Sequence, residues 1–230
     1  MDPQTVSRKM SQLKLRTSSY RFSLLLCSQF ALIVIAPLMS NTEHHPSTVF
    51  NVFGLALLLT ALNFVIEKRR RMRAVAFVLC GASMLTSLLS SLGFEQEFLI
   101  PGIICSMIFM VFMIAVILSE LITATTVTRD ILYGAVSAYM FIGIAWGMAY
   151  SLVDLLVPGS VIKTVDTKHP LLWTDYTFFS FTTLTTVGYG NMVPVGAVQG
   201  LALLEAVIGA MYPPIMIGRL LTLLPGSKRE

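Results

Sequence analysis

Six consecutive residues, Thr185-Thr186-Val187-Gly188-Tyr189-Gly190, follow directly on a short aromatic run and place glycine at alternate positions. Their chemistry is that of the backbone. A dehydrated cation must exchange its water shell for oxygen ligands, and the carbonyls of residues 185–189 with the Thr186 hydroxyl would offer stacked rings of them. Consecutive carbonyls alternate sides in an ordinary strand, so aiming them one way requires left-handed backbone, which glycine adopts at little cost. Gly188 and Gly190 stand where that geometry needs them, and Val187 and Tyr189 would point away from the axis and wedge against the preceding helix. No clustered acids, histidines or nucleophile stand at catalytic spacing, so the chain reads as no enzyme and without a cofactor. His44 and His45 lack ligand-spaced partners and read as a solvated loop. Cys27, Cys80 and Cys105 sit in apolar runs and read as packing residues.

The elements that must position this run are membrane helices. Only 12% of the chain is charged, against about 25% in a soluble domain, and the mean hydropathy is +0.78. Six apolar segments approach the roughly 20 residues a spanning helix needs: Phe22 to Met39, Val49 to Ile66, Ala74 to Leu92, Leu99 to Ile122, Ile131 to Val157 and Val195 to Leu224. Basic residues fall on one side of this alternation: Arg8, Lys9, Lys14, Arg16, Arg21; Lys68, Arg69, Arg70, Arg71, Arg73; Arg129; Arg219, Lys228, Arg229. Only Lys163 and Lys168 fall on the other, which places both termini in the cytoplasm by the positive-inside rule. Charge clustered between apolar runs argues against nucleic acid as a partner. The basic N-terminal stretch serves as a topology signal, with anionic lipid headgroups as the alternative partner. Between the last two segments, Thr174-Asp175 suits a helix N-cap, and Tyr176 to Thr183 a helix too short to cross. Irregular backbone at membrane depth survives only where it is buried in protein or lines water. The expectation is a re-entrant helix whose negative C-terminal end points at the pore centre, returning as an extended strand.

The run Thr186-Val187-Gly188-Tyr189-Gly190 matches the filter of potassium channels. Phe179 through Gly190 resembles the pore of the prokaryotic ion-channel family. Ile142-Gly143 through Ser151 and Leu156-Val157-Pro158-Gly159-Ser160 resemble its outer helix and turret. Leu203 through Gly209 and Ile217-Gly218-Arg219-Leu220 resemble its inner helix. The resemblance implies a potassium-selective pore in the plasma membrane, with K+ held at Thr186, Val187, Gly188 and Tyr189. One chain supplies one filter strand, so three identical subunits complete a homotetramer. A non-selective cation channel and a non-conducting assembly subunit are the alternatives. Two residues depart from the family pattern: Asn191 stands where an aspartate is usual at the outer rim, and Thr182 where some relatives carry a buried glutamate behind the filter.

The fold class expected is an all-α integral membrane protein. Six transmembrane helices carry a re-entrant pore helix and extended selectivity filter between helices five and six. Residues 1–21 form a basic cytoplasmic segment, 22–128 a four-helix membrane domain, and 129–230 the pore domain. The fourth segment contains no Lys or Arg, and arginines in such a helix supply about 2.3 kcal/mol per 100 mV each, so steep voltage gating is not expected. Gly209 precedes Pro213-Pro214, whose missing amide protons free two helix carbonyls. That stretch reads either as a hinge or gate, with Met211, Tyr212 and Met216 facing the pore, or as a static kink. Glu205, about 15 Å into the last segment by helical rise, is either functional or bonded to the pore helix as filter support. Gly143 with Gly147, and Gly196 with Gly200, have the spacing that lets helices approach closely.

Overall fold

The computed structural model describes residues 21–40, 70–91, 95–165 and 170–223. In chain order these form α1 (Arg21–Ser40), α2 (Arg70–Ser91), α3 (Glu95–Thr123), α4 (Arg129–Leu156), β1 (Val161–Lys163), α5 (Trp173–Leu184), β2 (Met192–Pro194) and α6 (Ala197–Leu221). Among the described residues three helices are long and apolar enough to cross a membrane, namely Glu97–Thr123, Arg129–Leu156 and Ala197–Leu221. Phe22–Ile35 and Ala74–Thr86 are shorter apolar helices. The segment expected at Val49 to Ile66, and His44 and His45, lie outside the described residues.

Helix α4 is the hub. Glycine and alanine recur along its buried side, as at Gly134, Ala135, Ala138, Gly143 and Gly147, and small side chains let neighbouring helices come close. Its start is set by Thr128, whose hydroxyl accepts the Ile131 amide at 3.2 Å, an N-cap that satisfies one of the orphan donors of the first turn. Asp130 in that turn also accepts the Phe22 amide at 3.2 Å, joining the starts of α1 and α4. A buried apolar cluster runs from Phe22, Leu25 and Leu32 of α1 through Cys80 of α2 and Phe109, Met113 and Ile117 of α3 to Phe141 and Ile144 of α4. A second cluster at the other end of α4 gathers Tyr150, Val161, Tyr176, Phe179, Met192 and Val198.

The connection between α4 and α6 adds an element the all-α expectation lacked. Strands β1 and β2 pair antiparallel, with Val161 opposite Pro194, Ile162 opposite Val193 and Lys163 opposite Met192. A loop that leaves and re-enters at one edge brings its two ends alongside in opposite directions, and their free backbone groups then pair with each other. Helix α5 and the run 185–190 hang inside that clasp.

Candidate functional site

Helix α5 starts at Trp173, with Leu172 as N-cap, rather than after Thr174-Asp175. Asp175 lies at the third helical position, and its carboxylate reaches back to the Leu172 amide at 2.8 Å. The same carboxylate takes Lys163 of β1 at 2.9 Å, a partly exposed pair that ties the clasp to the helix start. Asp154, near the end of α4, accepts the Val161 amide at 3.1 Å and the Tyr176 hydroxyl at 2.5 Å. Burial, then the Asp154 carboxylate, pushes the Tyr176 phenol above its ordinary range, so it stays a donor. Nothing in the local sequence distinguishes Asp154 from a solvated helix-end acid.

Two glycines of α4 seat α5. A Cβ at Gly143 would lie 2.7 Å from the Phe181 ring, and one at Gly147 would lie 3.0 Å from the Thr177 Cα. The second glycine pair behaves otherwise. Gly200 has open space around it within the chain, and Gly196 is the N-cap of α6 at φ +60°, so it serves a turn and not a close approach.

At the far end of α5 the chain turns back on the helix. The Thr186 amide donates to Thr183 O at 2.9 Å, and the amides of Val187 and Gly188 both donate to Thr182 O, at 2.8 and 3.1 Å. The Thr182 hydroxyl bonds locally to Phe179 O at 2.9 Å. Left-handed backbone occurs at Thr186 (φ +60°), Gly188 (φ +54°) and Gly190 (φ +76°), every second residue. Thr186 was not among the expected left-handed positions. A β-branched residue there is a conformational outlier, costing on the order of 1–3 kcal/mol, and such strain concentrates at functional sites. With the amides engaged behind, the carbonyls of residues 185–189 accept no hydrogen bond among the described residues. The ladder stops there: Gly190 O accepts the Thr164 hydroxyl at 3.0 Å and Asn191 O the Thr164 amide at 2.9 Å. Residues 185–190 are all exposed. The Tyr189 ring stacks on Phe178 of α5, centroids 5.8 Å apart and planes 8° apart, and Val187 remains 54% exposed.

Behind the turn three helices meet. Tyr139 of α4 donates to Leu184 O at 3.0 Å. Gly209 of α6 lies so close that a Cβ there would stand 1.9 Å from the same oxygen. Gly209, expected at a hinge, is therefore also a contact that admits no side chain. Glu205, fully buried on α6, meets the Tyr150 hydroxyl at one oxygen and Ser180 Oγ at 2.5 Å at the other. Tyr212, expected to face the pore, turns toward α4: its hydroxyl donates to Ala135 O at 2.8 Å and its ring lies 5.3 Å from that of Tyr139. Met216 packs with the same cluster, while Met211, Pro213 and Pro214 are exposed, and both prolines lie within a helix assigned as continuous. Tyr139, Tyr150 and Ser180 carry no sequence signal of these roles, because a lone hydroxyl in an apolar helix looks the same whichever way it points.

Residues 150–224 match the family model described as "Ion channel". No curated protein and no solved structure matches the chain. The matched residues take in the last turns of α4, the β clasp, α5, the 185–190 run and α6. Residues 150–224 are thus similar to an ion-channel domain, on helices of which two, Arg129–Leu156 and Ala197–Leu221, are long and apolar enough to cross a membrane.

Proposed function

We propose that the chain is one of four identical subunits of a potassium-selective channel carrying passive flux across the plasma membrane. The observation that carries this reading is the row of bond-free carbonyls at residues 185–189, on backbone left-handed at every second residue. Extended backbone with unpaired carbonyls cannot face lipid, so it must face water, ions or another protein surface. Alternating handedness turns successive carbonyls toward one side, which suits rings of oxygen ligands. On this reading K+ sits at Thr186, Val187, Gly188 and Tyr189, and the Asn191 rim supplies no charge.

Fourfold assembly is supported by what one chain leaves open. The apolar window of α4 is 67% buried, while that of α6 is only 17% buried. Leu203, Val207, Met211 and Ile215 form an exposed ridge at four-residue spacing, and Tyr189 and Phe178 are exposed as well. Neighbouring copies would cover part of this surface and close the ring. Six spans with both termini cytoplasmic complete the proposal, and α3, without Lys or Arg between Glu95 and Thr123, makes steep voltage dependence unexpected.

The test is flux from purified protein in liposomes. K+ flux abolished by Gly188→Asp, with tetramers still formed, is the expected result. A reversal potential that ignores exchange of K+ for Na+ would make the pore non-selective. Intact tetramers without flux would make the chain a non-conducting assembly subunit.

A further inference from the structure

We propose that Glu205 is held as a neutral carboxylic acid, and that its proton ties the inner helix α6 to the filter-bearing helix α5 as a positioning device. The argument is a count of protons. Ser180 Oγ lies 2.7 Å from Gly143 O and 2.5 Å from Glu205 Oε1. A serine hydroxyl has one proton, and Gly143 O is only an acceptor. The Tyr150 hydroxyl spends its proton on Glu205 Oε2. If Glu205 were ionised, one of the two Ser180 contacts would press lone pairs together with no proton between them. With Glu205 protonated every contact is served: Glu205 donates to Ser180, Ser180 to Gly143 O, and Tyr150 to Glu205.

The surroundings agree. Glu205, Ser180 and Tyr150 are each 0% exposed, and a buried carboxylate without a cation is strongly disfavoured. Among the described residues the nearby charges are spoken for: Lys163 and Asp175 pair with each other, and Asp154 serves Val161 and Tyr176. Arg219 is bonded to Ile122 O and Ala124 O at the end of α3. The titratable groups facing Glu205 are Tyr150 and, within electrostatic reach, Tyr139, both on α4; α5 presents only the Ser180 hydroxyl. Ser180 lies two residues before Thr182, whose carbonyl holds the Val187 and Gly188 amides. The acid proton therefore sets the seat from which the filter turns. Its effect on ion selection rests on the channel reading above; the protonation state does not.

Infrared spectra of the purified protein separate the two. The expected result is a protonated-carboxyl stretch at neutral pH that is missing in Glu205→Gln. Glutamine can donate to Ser180 and accept from Tyr150, so Glu205→Gln should keep tetramer stability and the K+/Na+ permeability ratio. Glu205→Ala should lower that ratio by roughly tenfold, or abolish assembly, because it leaves buried hydroxyls unpaired. Raising the pH should erode wild-type selectivity and leave Glu205→Gln unaffected. A carboxylate signature at neutral pH, or Glu205→Gln as damaged as Glu205→Ala, overturns the proposal. A protein that carries no flux yet shows the carboxyl band would sink the channel reading alone.

Discussion

Two helix seams in this molecule are built on different rules. Between α2 and α3 the contact is apolar, joined by a long 3.4 Å bond from Ser106 to Ser83. A Cβ at Gly102 there would meet Thr86 at 3.3 Å, a fit that needs only a small shift, and Gly81 on α2 has open space around it. Where α4, α5 and α6 meet, a Cβ at any of three glycines would lie 3.0 Å or less from a neighbouring atom, and hydroxyls of Tyr139, Tyr150 and Ser180 cross between helices. Apolar seams tolerate repacking, whereas a close backbone contact with directed polar bonds has one solution. Register matters at the second seam, because a displacement there moves Thr182 and Leu184, and with them the start of the carbonyl row.

The contrast can be broken by adding one methyl group at different places. Gly209→Ala should have the largest effect. Its Cβ would fall 1.9 Å from Leu184 O, which is backbone and cannot rotate away. Overpacking of this kind costs about 1–3 kcal/mol or more. The melting temperature of the detergent-solubilised protein should fall and, on the channel reading, flux should be lost; unchanged flux would show that the seam yields like the first one.

Next comes the double replacement Pro213→Ala with Pro214→Ala. Both prolines are exposed and lie beyond the tight contact at Gly209, so the seam should hold and only bending should change. Restoring two helix amides stiffens α6, and a bias of about 1.4 kcal/mol shifts an equilibrium tenfold. Single-channel open probability should shift on that order at constant selectivity. Unchanged gating would leave the prolines as a static kink, and altered selectivity would extend the rigid region past Gly209.

Gly81→Ala should do least. With nothing within 4 Å, the new methyl meets no neighbour, and helix propensity favours alanine by up to about 1 kcal/mol. A melting temperature equal to or slightly above wild type is expected. A marked loss would reveal a partner on that face of α2.

Much of the stretch from α3 to α6 is legible in the residues alone. The fourth, fifth and sixth apolar segments fall on α3, α4 and α6, with ends that differ by about one to four residues, because hydrophobic runs broken by charge are local properties. A short helix before residues 185–190 is legible too, although it starts at Trp173, because Asp175 acts backwards on Leu172. Thr186 at positive φ could not be read, since nothing about threonine announces a conformation it disfavours. That Tyr212 meets Ala135 of α4 could not be read, because helical periodicity says which residues share a face, not which neighbour that face meets. The β clasp was missed for a similar reason: each strand has only three residues and pairs across the whole loop.

By itself the sequence determined the chemistry on offer: backbone oxygens in a glycine-spaced run, a chain composed for lipid, and a fourth segment without the charges a voltage sensor needs. Those are facts of composition and neighbouring residues, and no partner is required to establish them. Only the tertiary structure decided what holds the run in place. Tyr139 reaches Leu184 across 45 positions and Tyr150 reaches Glu205 across 55, and such pairs form only once packing has fixed which helix faces which. A hydroxyl's donor capacity is written in its residue type, but its acceptor is chosen by the fold.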